Sequence, residues 1–138
     1  MKIKLLFLLM PFFFGYSQIK EPVHLSFELT EINKDYKVRD ENGYVHFYMQ
    51  DQHFKSLNPF PDYEEFNPNF LQQVEIIEIS EFLEVANKER KRLIVEGERN
   101  QSLKILFNNE VFKKIYLYQK INKDCISRLE VVWIEEIE

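Results

Sequence analysis

The chain offers few side chains with the chemistry of a reactive site, and the histidines are the first to consider. His46 lies between Tyr44 and Tyr48, and a proton-transfer or metal-binding role for it requires convergent partners. Asp51 and His53 follow in the stretch HFYMQDQH, which matches no established ligand spacing. If the strand through His46 runs on, its two-residue period sends His46 and His53 to opposite sides of the sheet. The expectation is a solvated histidine on an exposed face, with His24 about one strand away. Glu130, Glu135, Glu136 and Glu138, like Glu75 and Glu78, offer carboxylates for paired acid and base work. They alternate with Ile and Val as on any half-exposed strand, and no pocket is evident that would set their pKa values apart. There is no glycine-rich phosphate loop, G-x-S-x-G elbow or H-E-x-x-H pair, and Cys125 has no activating base beside it. The basic run KERKR at 88–92 is expected to be a solvated helix end. The sequence therefore predicts neither an enzyme nor a cofactor.

One stretch resists these readings. NPFPDYEEFNPNF, residues 58–70, carries Phe60, Tyr63, Phe66 and Phe70 among three prolines, three asparagines and three carboxylates. It belongs to a longer segment, residues 51–70, without regular periodicity, and such loops in compact domains are usually functional or disordered. The rings argue against disorder, since burying each is worth on the order of 2 kcal/mol. The segment is expected either to cover a sheet face or to present an aromatic docking patch. The NPF triplet is also a ligand motif for a eukaryotic endocytic adaptor module, a partner that an exported chain of bacterial composition would not meet. Phe60, Tyr63 and Phe66, with Tyr44, His46 and Tyr48, are the candidate residues for binding a partner or ligand.

The elements that position these groups follow from periodicity. Val23, Leu25, Phe27 and Leu29 alternate with polar residues in a half-buried strand. Asn42-Gly43 reads as the centre of a two-residue type I′ hairpin. Counting outward from that turn, Arg39 faces His46, Lys37 faces Tyr48, Val38 faces Phe47 and Tyr36 faces Met49. Tyr36, Val38, Val45, Phe47 and Met49 then share an apolar face, and Lys37, Arg39, Glu41, Tyr44, His46 and Tyr48 share the other. With a tight turn at the first of two INKD tetrapeptides, 32–35 and 121–124, the first three strands make a meander. The runs at 102–107, 110–121 and 126–137 make a second, in which Leu129, Val131 and Trp133 share a face. Apolar groups on both faces of the last strands place them centrally or under cover. Between the meanders, VEIIEIS reads as a strand. A helix is expected from Ser80, as N-cap, to Arg92, burying Phe82, Val85 and Ala86, with a return to strand at Leu93–Val95. The expected fold is α+β: an antiparallel sheet of two meanders packed by a single helix, with the aromatic loop covering part of it.

Composition and the N-terminus bound the setting. Lys2 and Lys4 precede the apolar run Leu5–Phe14, with Gly15 and Ser17 before Gln18, the pattern of a cleaved secretory signal at 1–17. That run is far short of the roughly 20 residues a spanning helix needs. Residues 18–138 are expected to form one small domain, periplasmic or secreted, with no transmembrane segment. Removing Lys2 and Lys4 from the 18 basic residues leaves 16 against 23 acidic ones, a net of −7, which disfavours nucleic acid as partner. A single cysteine excludes an intramolecular disulfide. Export, small size and the lack of catalytic motifs point to a non-catalytic domain that binds another protein, as an inhibitor, immunity or envelope-accessory factor would. The alternative is a carrier of a small hydrophobic ligand with residues 51–70 as lid.

Overall fold

The computed structural model describes residues 19–28, 35–101 and 106–135. The expected signal segment, the first INKD turn up to Lys34 and most of the 102–107 run lie outside them. The fold is mixed α+β. Strands β1 (Val23–Phe27), β2 (Tyr36–Arg39), β3 (Val45–Met49), β4 (Gln52–Ser56), β5 (Glu64–Phe66), β6 (Ile76–Ile77), β7 (Ile115–Asn122) and β8 (Cys125–Ile134) form one mostly antiparallel sheet. One main helix, α1 (Ile79–Asn100), a short turn of helix, α2 (Asn108–Val111), and a 3-10 segment, Pro68–Gln73, complete the described chain.

The strand order is β2-β3-β4-β8-β7-β1-β6. β8 is the spine. It pairs with β7 along one edge, and along the other with β4 through Val131–Ile134 and with β5 through Ile126–Arg128. The central position expected for the last strands therefore holds, and Leu129, Val131 and Trp133 are buried on one face. The hairpin between β7 and β8 turns at the second INKD, where Asn122 Oδ1 accepts the Asp124 N–H at 2.8 Å.

The first meander is rearranged. β1 does not join β2; it runs parallel to β7 and to β6, with both edges occupied. The third strand of the meander is instead β4, which pairs with β3 and begins within the segment expected to be irregular. Gln50 and Asp51 have φ of 49° and 64°, the two left-handed positions of a type I′ turn, so β3 reverses directly into β4. Phe54, expected in the loop, is a fully buried core ring.

The inner face of the sheet is the core face. Phe82 of α1 lies 4.7 Å from the Phe112 ring, 4.8 Å from Trp133 and 5.6 Å from Phe54. The sheet curves enough that Phe27 on β1 meets Phe47 on β3 at 5.2 Å, although three strands lie between them. The helix runs beyond the expected stop at Arg92. Leu93 and Gly97 continue the buried stripe of Ile79, Phe82 and Ala86, and the expected strand at 93–95 is helical. Ile94 and Val95 are exposed, so the β-branched run that suggested a strand is overridden by burial of its neighbours. Ser80 is inside the first turn, and Glu78 occupies the cap position. The basic run is thus mid-helix: Arg92 pairs with Glu89 and Glu96, and Arg90 donates to the Leu106 carbonyl at 3.3 Å.

Candidate functional site on the outer face of the sheet

The residues of chemical interest gather on the face away from α1, in two groups. The first is built by the turn at Asp40. Its Oδ1 accepts the N–H groups of Asn42 at 2.9 Å and Tyr44 at 3.0 Å, while its own N–H donates to the Tyr44 carbonyl. Gly43 sits at φ 93°, so the loop has three residues, Glu41–Gly43, rather than the expected two. The register slips by one. Tyr36 faces Tyr48, Lys37 faces Phe47, Val38 faces His46 and Arg39 faces Val45. A slip of one residue turns a whole strand over, so Tyr36 and Val38 join His46 and Tyr48 outside, and Lys37 and Arg39 point to the inner side.

The Gln50-Asp51 turn then places His53 opposite Tyr48, on the same face as His46 and not on the opposite one. His46 Nδ1 is 2.8 Å from His53 Nε2, and His46 Nε2 is 2.7 Å from Asp40 Oδ2. Since Asp40 accepts, His46 Nε2 carries a proton. With both rings neutral, its bare Nδ1 receives the His53 Nε2–H. The hydrogen bond from His46, ahead of those from the Tyr44 and Asn42 amides, outweighs burial and holds the Asp40 carboxyl below its ordinary range. Tyr36, Tyr48 and His53 stack across three strands at 4.5 and 4.4 Å, and the Lys55 ammonium lies 4.5 Å from the Tyr44 ring.

The second group centres on Arg128. Its guanidinium binds Glu64 through contacts of 2.8 and 3.3 Å and lies 4.3 Å from the Tyr116 ring, 4.8 Å from Phe66 and 5.6 Å from Phe70. Phe66 and Phe70 stack at 4.2 Å, and Phe70 reaches Tyr118 at 6.4 Å. Arg128 also lies beside the Tyr118 hydroxyl, which is 2.8 Å from His24 Nδ1. Burial, with the charge of Arg128 adding to it, pushes the His24 pKa down; burial likewise pushes that of Tyr118 up. Three strands, β4, β8 and β7, stand between His24 and β3, because β1 lies beyond β7.

Two clefts open beside these groups. One, about 330 Å³, lies between Pro59, Phe60, Pro61 and the outer-face side chains of Tyr116, Arg128 and Glu130. The other, about 400 Å³, is lined by Pro68, Leu71, Ile76, Tyr118 and Ile126, with Lys120 and Lys123 also on its wall. Among the described residues no group of three or more His, Cys, Asp or Glu is disposed to hold a metal ion. Glu130 lies 3.8 Å from Lys114, and half-buried Cys125 contacts the Ile126 carbonyl.

The six candidate residues separate accordingly. Tyr44, His46 and Tyr48 lie together on the outer face of the hairpin. Phe60 is 67% exposed and packs its ring edge on Gly43, with the Arg39 guanidinium 5.7 Å away. Tyr63 is half-buried against the core, under the Lys37 ammonium at 5.2 Å. Phe66 belongs to the Arg128 group. Sequence reasoning missed Asp40 and Tyr36 in the first group and Tyr116, Tyr118 and Arg128 in the second, and it named His53 and His24 but misplaced both. Asp at the third position before Gly43 is a readable signal for the wider turn; nothing local signals the approach of β1 to β7. No protein-family model matches the chain, and neither the curated proteins nor the solved structures include a match.

Proposed function

We propose that the chain is an exported, non-catalytic domain that binds another protein, and that the β2–β3 hairpin with Phe60 is its docking surface. The supporting observation is the gathering of exposed apolar and aromatic groups on one hairpin: Tyr36 at 52%, Val38 at 48% and Phe60 at 67% exposure. Exposed rings grouped on a rigid scaffold are the usual anchors of an interface. The aromatic segment divides in this reading. Phe66, Phe70 and the 3-10 segment cover Tyr118 and Ile126, which are buried on the outer face, while Phe60 stays available. The absence of a helix long and apolar enough to cross a membrane among the described residues is compatible with an exported domain.

The test compares proteins captured from the envelope fraction by the wild type and by a Phe60→Ser, Tyr36→Ser double variant. Both side chains are exposed, so the variant is expected to keep the wild-type melting temperature and lose the specific captured proteins. Identical captured sets would remove the hairpin from consideration.

The cleft of about 400 Å³ favours a second reading, a carrier for a small amphiphile whose anionic end meets Lys120 and Lys123. The lid would be confined to residues 57–73, since β4 occupies 52–56. Native mass spectrometry of the chain as secreted would then show a bound small molecule, released by Leu71→Glu.

A further inference from the structure

We propose that the free edge of β2 takes up an extended, acidic segment of the partner as an added strand. This rests on the protein-binding reading above and names the chemistry of the partner.

β2 ends the strand order, and its residues are all exposed. The Asp40 N–H to Tyr44 carbonyl bond of 2.9 Å fixes which pairs are hydrogen-bonded. Bonded and unbonded pairs alternate in an antiparallel ladder, so Val38–His46 and Tyr36–Tyr48 are bonded. The N–H and C=O groups of Lys37 and Arg39 therefore turn away from β3, along the open edge. Among the described residues they have no backbone partner. Such an edge is a template for one more strand.

The side chains beside that edge select the occupant. Among the described residues, neither Lys37 nor Arg39 is in an ion pair. Lys37 donates to Gln119 Oε1 at 3.2 Å and lies over the Phe47 and Tyr63 rings, and Arg39 lies over Phe60. Of the flanking acids, Asp35 accepts the Gln50 N–H, Asp40 holds His46 and its own turn, and Glu41 lies in the loop beyond the strand. In a chain with a formal net charge of −5, both charged side chains of β2 itself are thus cationic. A second copy of β2, paired antiparallel about Val38, would set Lys37 against Arg39, a like-charge juxtaposition that penalises self-association. A partner strand that places carboxylates beside Lys37 and Arg39 gains where self-pairing loses. On the other face Tyr36 and Val38, with Tyr36 backed by the stack on Tyr48, offer apolar contact. The fitting sequence alternates acidic and apolar residues.

The probes are three labelled peptides: one alternating Glu and Val, its Lys/Val counterpart, and the Glu/Val peptide N-methylated on alternate backbone nitrogens. The full chain is expected to bind the first, more weakly as salt rises, and to bind the other two at least about tenfold less tightly. Binding should slow amide exchange at Lys37 and Arg39. Lys37→Glu with Arg39→Glu should reverse the preference between the Glu and Lys peptides in a chain that still unfolds cooperatively. The proposal is overturned if the Glu/Val peptide does not bind, if charge reversal leaves the preference intact, or if the two amides are unaffected. The capture experiment separates the two levels. Capture that depends on Tyr36 and Phe60, alongside failure of the peptides, leaves protein binding standing and removes the added strand.

Discussion

Three donors converge on one carboxylate at Asp40, and the consequence is a pH dependence whose sign can be worked out. A carboxyl held below its unfolded value, about 3.9, contributes stability that is present above that value and lost as pH falls through the folded one. Acid melting profiles should therefore show a loss below about pH 4 that is reduced in Asp40→Asn, which also starts from a lower melting temperature. His24 is a base held below its unfolded value of about 6.5, by burial first and then by the charge of Arg128. Its contribution is present above that value and lost as pH falls through the histidine range. An NMR titration should find His24 protonating at lower pH than an exposed histidine, and His24→Gln should flatten the melting profile between about pH 7 and 5. Gly43 is the third case. At φ 93°, with the Phe60 ring 2.5 Å from where a Cβ would stand, Gly43→Ala meets both strain and a clash. It should cost about 1–3 kcal/mol by urea unfolding. Repeating the change in a Phe60→Ala background should recover the clash portion only.

At the scale of elements, β2 shows how one residue in a turn decides a surface. The choice between a two-residue and a three-residue loop moved Tyr36 and Val38 from the expected core face to the outside, and brought Lys37 and Arg39 inward. The helix shows the opposite balance. Its continuation past Arg92 adds Leu93 and Gly97 to the buried stripe, and that burial outweighs the weak helix propensity of Ile94 and Val95. Amide exchange should accordingly be slow at Leu93–Gly97. Phe82, without exposed surface and in contact with the rings of Phe54, Phe112 and Trp133, ties the helix to β4, to β8 and to the residue that follows α2. Phe82→Ala should cost about 3–5 kcal/mol in denaturant unfolding, while Ile94→Ala on the exposed side should change stability by less than about 0.5 kcal/mol.

For the molecule as a whole, stability rests on one curved sheet whose inner face is closed by α1. Zinc or a chelator should leave the melting temperature unchanged; a shift of several degrees would show that the histidines do ligate. The amino-acid sequence by itself determined the alternation in β1, β3, β7 and β8, the inward set Leu129, Val131 and Trp133 and the β7–β8 turn, because period and turn chemistry act over a few residues. It also showed that residues 58–70 were unlike their surroundings. It did not determine which strands meet. β1 pairs with β7 across about ninety residues of chain, where loop-closure entropy depends only weakly on length and gives local patterns no preference. Only the tertiary structure decided that His46 shares its proton network with His53 and Asp40, and that His24 lies by Tyr118 rather than beside the hairpin. It alone set Phe60 on Gly43 apart from Phe66 and Phe70 over Tyr118. Those meetings depend on register and strand order, and a one-residue slip or a change of neighbour costs little locally while exchanging every side chain that faces the site.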